Sequence, residues 1–407
     1  MIRVLTVIGD LHYGGGESRI LQIARAVDGK RFDHRVLTIY KPDPDCDRDF
    51  GPMRDDFERA GIELINLGIE RTRSSIPQPL RTAQTANIVR TAIQELRSFL
   101  VSEQIDLVDA HIDSGTLVGL PAAHFAGVPS VVTLYATRPF KLFAFSSQIH
   151  RWAIRRTAAV ITDSRATAQA LRTFAGLSAD HVRVIPNGLR LDPPSRTRAD
   201  VLAEWNIPET ATVIGKLGGY VPFKGHRVLL DAAQTFLARF PRAYLVCVGF
   251  ARTDPEYPKI LEEHARKLGI ADRVRLTSYS GNIADVWNAI DLHVHASLME
   301  SLPNAIIEGM SLGKPAVVTE VGGIPDLVEH GRTGLVVKPD DAAALNTAVS
   351  WLLEDRSYAA RLGRAAHARY LETCTPEVVT RQVEECWTEC AGAVESEIHS
   401  PVRAASA

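Results

Sequence analysis

Two glutamates and a lysine carry the clearest chemical signal in this chain. Glu300 and Glu308 bracket the segment ESLPNAIIE, between the strand-like run DLHVHAS and the helix-like run NAIIEGMSLG. Ser301 is expected to cap that helix and Pro303 to sit in its first turn. The free N–H groups of the turn would then face a crevice and suit an anion. Helical rise from Glu300 to Glu308 would separate the carboxylates by about 12 Å, so they cannot share one proton. Each can instead accept two O–H donors, a match for the vicinal diol of a sugar or ribose. Two surface glutamates on a helix are the bland alternative, and the strand–turn–helix setting argues against it.

The lysine stands in VIGKLGGYVPFKGH, from Val213 to His226. An apolar strand ends in two glycines, and after a short loop Lys224-Gly225 opens a helix. A lysine there can neutralise a diphosphate, and glycines admit close backbone approach. GKS or GKT is absent, so this is not a triphosphate P-loop. A third loop, HYGGGE from His12 to Glu17, follows the first strand. Gly14–Gly16 are expected as a flexible turn before a helix beginning near Glu17. The loop lacks GxGxxG and a ribose-binding acid at dinucleotide spacing.

The elements that must position these groups repeat in two series. The first strands are expected at Arg3–Gly9, His34–Tyr40, Asp106–His111, Ser130–Ala136, Ala159–Ser164 and Arg183–Pro186. The second series is Thr212–Leu217, Ala243–Gly249, Arg273–Thr277, Asp291–His295, Pro315–Thr319 and Gly334–Val337. Helical stretches such as Ser18–Val27 and Thr82–Glu103 lie between strands. Such alternation predicts parallel α/β layers with ligand crevices at the carboxyl ends of the strands. The turn-rich NGLRLDPPSRTR, Asn187–Arg198, marks the boundary. Domains are therefore expected at 1–190 and 191–376, with a further helix over 377–394 and a frayed tail over 396–407.

A length of 407 residues suits two domains, and 45% hydrophobic against 23% charged residues excludes a disordered scaffold. The net charge of −2 excludes a dedicated nucleic-acid binder. Residues 1–190 hold 24 basic and 20 acidic side chains, so the basic excess lies in the first half. Five sparse cysteines, the Cys386/Cys390 pair included, argue for a reducing compartment rather than a disulfide framework. No run reaches the ~20 apolar residues of a bilayer span and no signal peptide is visible, so a cytoplasmic protein is expected. The stretch Arg138–Thr162 interleaves five basic residues with four aromatics. It suits either an ordinary helix with a basic face or a peripheral contact with anionic lipid through 138–156. Asp43, Asp45, Asp47 and Asp49 mimic a metal motif but read as a solvated acidic loop. His293 and His295 share a strand face and read as a satisfied pair, so no metal site is expected.

Taken in order, GGGES, VITDS, VIPNG, KGH, LVCVG, GIADRVRL, the E-x7-E segment and GKPAVVTEVGGIPDLVEHGRTGLVVKPDD resemble family-4 retaining glycosyltransferases of the GT-B fold. The resemblance covers nearly the whole chain. It implies two doubly wound Rossmann-like domains whose parallel sheets face across a cleft that closes on the donor, with the C-terminal helix packing back on the first. It implies a metal-independent transferase without cofactor, using a nucleotide-diphosphate sugar and an acceptor held by the first domain. That acceptor is a saccharide, a lipid-linked group or a small molecule. Glu300 would bind hydroxyls of the donor sugar, and the backbone of Ser301, Leu302, Pro303 and Asn304 the sugar and diphosphate. Glu308 would hold the ribose, Lys224 the leaving diphosphate, and Gly15 and Gly16 would approach it.

Three positions depart from the family pattern. Gly219 stands where an arginine is common, with Lys216 nearby; Tyr135 stands where many members have histidine; Arg190 replaces the aspartate after the PNG turn. His111 is the remaining strand-end histidine and a candidate catalytic group. The rivals are a non-catalytic sugar-nucleotide-binding relative and a sugar-nucleotide epimerase.

Overall fold

The structure is a computed structural model that describes residues 1–12, 14–42, 53–71, 78–135, 144–251 and 254–398. The chain divides into two compact units, Met1–Gly188 joined by the segment from Pro376, and Leu189–Thr375. Each unit has one parallel sheet.

In the first unit the strands are β1 (Ile2–Ile8), β2 (Phe32–Tyr40), β3 (Leu64–Ile69), β4 (Leu107–His111), β5 (Ser130–Leu134), β6 (Ala159–Thr162) and β7 (Val182–Val184). They order β3-β2-β1-β4-β5-β6-β7. The chain reverses its winding between β1 and β4, so the crevice at their carboxyl ends is the natural ligand position. Helices cover both faces, which is why β1 and β5 read as continuous apolar runs. One cover is the helix Pro376–Ile398. Its stripe Val379, Val383, Cys386, Trp387 and Cys390 packs on Val4, Phe32, Leu107 and Val131. The spacing is that of one helical face. Truncating Trp387 there would cost about 3–5 kcal/mol.

The second unit has β8 (Thr212–Leu217), β9 (Ala243–Val248), β10 (Val274–Thr277), β11 (Leu292–His295), β12 (Ala316–Thr319) and β13 (Leu335–Val337). Their order is β10-β9-β8-β11-β12-β13, with the reversal between β8 and β11. The helix His226–Arg239 lies on one face, with Leu229, Leu230, Ala233 and Phe236 in a core with Ile214, Leu245 and Val294. The other face is covered by Ile283–Ala289, whose Val286, Trp287 and Ala289 pack with Val213, Leu217 and Val246.

Several expectations shift. β3 was not expected; its half-exposed LINLGI has only weak alternation. The helix after β1 begins at Gly15, so Gly15 and Gly16 form its first turn rather than a loop before it. The helix after β11 is Asn304–Ser311, with Pro303 rather than Ser301 at its N-cap position. Glu308 is therefore one turn into the helix, not two. The acidic loop from Asp43 to Asp49, Arg138, Lys141 and residues 399–407 lie outside the described residues, while residues 396–398, expected in the tail, belong to the helix Pro376–Ile398. Of the remaining basic stretch, Arg151 stacks on Phe174 at 5.1 Å and Arg156 on Trp152 at 4.5 Å. Among the described residues no helix is long and apolar enough to cross a membrane.

Candidate active site

The second unit gathers its chemistry at the carboxyl ends of β8 and β11, where the winding reverses. After β8, Gly218 and Gly219 lead to a short turn, Pro222–Lys224, and then to the helix from His226. Gly225 joins them with φ +70°, and a Cβ on it would lie 1.8 Å from the Ala296 carbonyl oxygen. Only glycine lets this helix start approach the end of β11 so closely. The following loop is fixed from two sides. Leu298 N–H donates to Phe223 O at 2.7 Å, and Gly323 N–H donates to Ser301 O at 2.6 Å.

Glu300 stands on that loop. Lys224 Nζ donates to its Oε1 at 2.6 Å, His295 Nε2 lies 2.8 Å from the same oxygen, and Ser297 Oγ donates to it at 2.8 Å. Among the described residues all three contacts fall on Oε1, so Oε2 remains for another donor. Burial would raise the Glu300 carboxyl, but the hydrogen bond from His295 and the ammonium of Lys224 hold it well below the usual range. Burial lowers His295 to about 4, so at neutral pH its ring is uncharged and Nε2 carries the proton given to Glu300. Thr319 Oγ1 donates to Ser297 O at 2.6 Å and supports the loop. The carboxylate is thus locked in one rotamer by groups on β11, the loop and Lys224.

Glu308 points elsewhere. Trp287 Nε1 donates to its Oε2 at 2.8 Å. Burial raises its carboxyl, and the indole bond partly offsets this. Leu302 and Pro303 are buried, while Ser301 and Asn304 are partly exposed at the helix start. Gly219 has an unstrained backbone, and a Cβ there would meet only Phe250 O at 3.4 Å, so a side chain would fit. Lys216, at the end of β8, is fully buried. His293 does not form a satisfied pair with His295: its ring nitrogens have no hydrogen-bond partner among the described residues, and it packs edge-on to Trp287 at 5.0 Å.

The first unit brings a second group together at the ends of β4 and β5. His111 Nδ1 lies 2.8 Å from the Tyr135 hydroxyl, and its Nε2 lies 3.2 Å from Asp109 Oδ1. Asp109 Oδ1 also accepts from Thr133 Oγ1 at 3.1 Å, and its Oδ2 from Trp387 Nε1 at 3.1 Å. Burial would raise Asp109, but His111, then Trp387 and Thr133, keep it below its ordinary value. A carboxylate on Nε2 fixes a proton there, so Nδ1 accepts and the Tyr135 hydroxyl donates. Burial raises the Tyr135 phenol, which therefore stays neutral. Gly16 packs against this group: a Cβ on it would fall 2.9 Å from Ile112 Cδ1 and 3.1 Å from Tyr135 Cε2. Arg19, buried in the same helix, donates to Ile185 O at 2.8 Å and Pro186 O at 2.7 Å, gripping the VIPNG turn.

The sequence singles out Glu300, Glu308, Lys224, His111 and Tyr135 as candidates, whereas Ser297, Trp287, Asp109, Trp387 and Arg19 enter only through the contacts described above. His295, read from the sequence as half of a satisfied histidine pair, is instead the partner of Glu300, five residues on. The structure places Glu300 and Lys224 together, Glu308 one turn along, and His111 with Tyr135 in the other unit.

The profile of the family "Glycosyl transferases group 1" matches residues 198–369, and that of "Glycosyl transferase 4-like domain" matches 14–188. The alpha-maltose-1-phosphate synthase of Mycolicibacterium smegmatis is 28% identical over 80% of this chain and 90% of its own. The D-inositol 3-phosphate glycosyltransferase of Streptomyces scabiei is 30% identical over 68% of this chain and 67% of its own. Among solved structures, Anabaena HepE in complex with UDP and glucose superimposes with a TM-score of 0.78 at 23% identity, covering 95% of this chain and 100% of that one. That likeness shows the fold, two Rossmann-like α/β units of the GT-B type. With both units matched and the relatives aligned over most of their length, the chain belongs to the group 1 glycosyltransferases, family-4-like enzymes of the GT-B fold.

Proposed function

We propose that this enzyme transfers a sugar from a nucleotide-diphosphate sugar to a hydroxyl of a small acceptor, with retention at the anomeric carbon and without a metal ion. The observation that carries the reading is Glu300, fixed through Oε1 by Lys224, His295 and Ser297, with Oε2 left to a ligand. A carboxylate so held reads sugar hydroxyls. The adjacent ammonium of Lys224 and the N–H groups at the starts of His226–Arg239 and Asn304–Ser311 suit a diphosphate. Glu308, one turn into the helix Asn304–Ser311, is assigned to the ribose diol. HepE was solved with UDP and with UDP-glucose, which supports a uridine donor.

When the glycosidic C–O bond breaks, negative charge grows on the diphosphate and positive charge on the anomeric carbon. Lys224 stabilises the first. Glu300 orients the sugar and offsets the second. With Glu300 Oε1 fixed by three donors and its Oε2 given to a sugar hydroxyl, and with Glu308 given to the ribose, neither carboxylate is assigned a covalent role. Retention then follows from same-face attack, with the departing diphosphate accepting the proton of the acceptor hydroxyl. The fixed cations supply the neutralisation that a metal would otherwise provide. The acceptor is assigned to the first unit, where Tyr135 and His111 present a polar group at the strand ends. The relatives' names, inositol 3-phosphate and 2-deoxystreptamine, support a small hydroxylated acceptor.

Incubating the chain with UDP-, GDP-, ADP- and dTDP-sugars plus inositol phosphates, sugar phosphates and aminocyclitols tests this. Acceptor-dependent release of nucleoside diphosphate, with an α-linked product from an α-linked donor by NMR, is expected. An isomerised donor without transfer would point to an epimerase. Tight binding without turnover would point to a non-catalytic relative, the reading that Gly219 and Tyr135 favour.

A further inference from the structure

Lys216 is a buried lysine that the donor reading leaves without a task. It lies on β8, the central strand of its sheet, one residue from the strand's carboxyl end. Its Cα partner on β9 is Cys247. The side chain is 0% exposed, and Nζ has no hydrogen-bond partner among the described residues. A buried charge without a partner is expensive, so a chain that keeps one gains something else by it.

The surroundings indicate what that is. Cys247 is its partner on β9, and the charge of Lys216 acts on His226, the first residue of the helix His226–Arg239, and on His293 and His295 of β11. Lys224 and Glu300, on the two loops, act on Lys216 in turn. The Lys224 stem lies above Gly218, 3.9 Å from where its Cβ would be, two residues beyond Lys216. The cluster therefore holds two lysines and a helix N-terminus, all favouring an anion, against one carboxylate that Lys224 already engages. A diphosphate supplies the missing negative charge.

We propose that Lys216 is a positioning residue of the diphosphate site, a buried second cation that gains a proton when the anion binds. This rests on the donor reading and names a group that acts from beneath the ligand rather than by touching it. In the free protein burial lowers Lys216 to about 8, so near pH 8 the site is an even mixture of charged and neutral forms. The other groups are silent there. His295 is lowered to about 4, His226 to about 2, and Cys247 is raised to about 12, each chiefly by burial. An anion raises the Lys216 value, so binding takes up a proton. The extra affinity is fully present below pH 8 and is lost as pH rises through the higher value of the complex.

The test is calorimetric titration of the full chain at pH 8 with the tightest of UDP, GDP, ADP and dTDP, in buffers of differing ionisation heat. Uptake of about half a proton is expected. Lys216→Arg should keep the affinity and take up none, because guanidinium stays charged. Lys216→Met should bind about tenfold more weakly, take up none, and melt higher than wild type, because an unpartnered buried charge has been removed. A merely structural lysine would lower the melting temperature instead. Nucleotide binding without proton uptake, uptake persisting in Lys216→Arg, or wild-type affinity in Lys216→Met would each overturn the inference alone. Failure of all four nucleotides to bind the wild type would overturn the donor reading and this inference with it.

Discussion

Replacing Glu300 with glutamine keeps the side-chain shape and one acceptor oxygen but removes the charge. Three donors converge on Oε1, at 2.6 Å from Lys224 and 2.8 Å each from His295 and Ser297. Hydrogen bonds to a charged group contribute about 1.5–3 kcal/mol and neutral ones about 0.5–1.5, so each bond weakens by about 1 kcal/mol. Glu300 is 8% exposed but Lys224 is 22% exposed, so water screens part of the Lys224 contribution. The net loss is about 2 kcal/mol of stability, or ~4–8 °C in melting temperature for a unit of this size. Turnover should fall by about 30–100-fold, the value of one charge-assisted bond to a sugar hydroxyl in the transition state. Affinity for the bare nucleoside diphosphate should hold or tighten, because Lys224 loses the carboxylate that competes with the ligand. Scanning calorimetry, donor consumption and UDP titration read these three quantities. A Glu300→Gln variant with wild-type melting temperature and turnover would refute the reasoning. So would one that loses UDP affinity as steeply as turnover.

Gly225→Ala should cost unit 189–375 at least about 3 kcal/mol in urea unfolding, because its φ of +70° disfavours a side chain and the new Cβ would strike the Ala296 carbonyl. Asp109→Asn should reverse the His111 tautomer. The indole of Trp387 can only donate, so the amide oxygen turns toward it and the amide NH₂ faces His111 Nε2. Nitrogen NMR should then find the proton on Nδ1 rather than Nε2; an unchanged tautomer would sink the arrangement. Acid should destabilise both units. His34 and His295 are each lowered to about 4 by burial, from 6.5 when unfolded. Their contributions, about 3 kcal/mol each, are complete above pH 6.5 and lost as pH falls through 4. His295→Asn, which still offers an N–H to Glu300, should flatten about half of that fall in urea titrations between pH 7 and 4.

The sequence announces what repeats and hides what is made by distant contact. Continuous apolar runs such as VLTVI and AYLVCV can only be strands buried on both faces, so the two sheets and the turn-rich junction near Asn187 are readable. β3 escapes because an edge strand with half-exposed side chains loses the apolar run. Three glycines before Glu17 look like a loop, yet two of them begin a helix packed on Tyr135. Glu300, Lys224 and Glu308 are legible because a carboxylate or lysine beside a strand end is locally unusual. Asp109 and Trp387 are not, because 278 residues separate them and only the packing of Pro376–Ile398 makes them partners. Lys216 sits inside an apolar strand, and nothing local says whether it is buried.

The central claim is that the second unit holds a nucleotide-diphosphate sugar, with Glu308 on the ribose. Glu308→Gln keeps an oxygen for the Trp287 indole and relieves a carboxylate that burial disfavours. Its melting temperature should equal or exceed that of wild type. Titrating both proteins with the preferred nucleotide sugar and with its 2′,3′-dideoxyribose analogue measures the claim directly. The variant should bind the sugar nucleotide at least about tenfold more weakly, the loss of one charge-assisted bond. Variant and wild type should bind the dideoxy analogue alike. Equal affinity of both proteins for the natural nucleotide sugar, or no binding of any nucleotide sugar by the wild type, would contradict it.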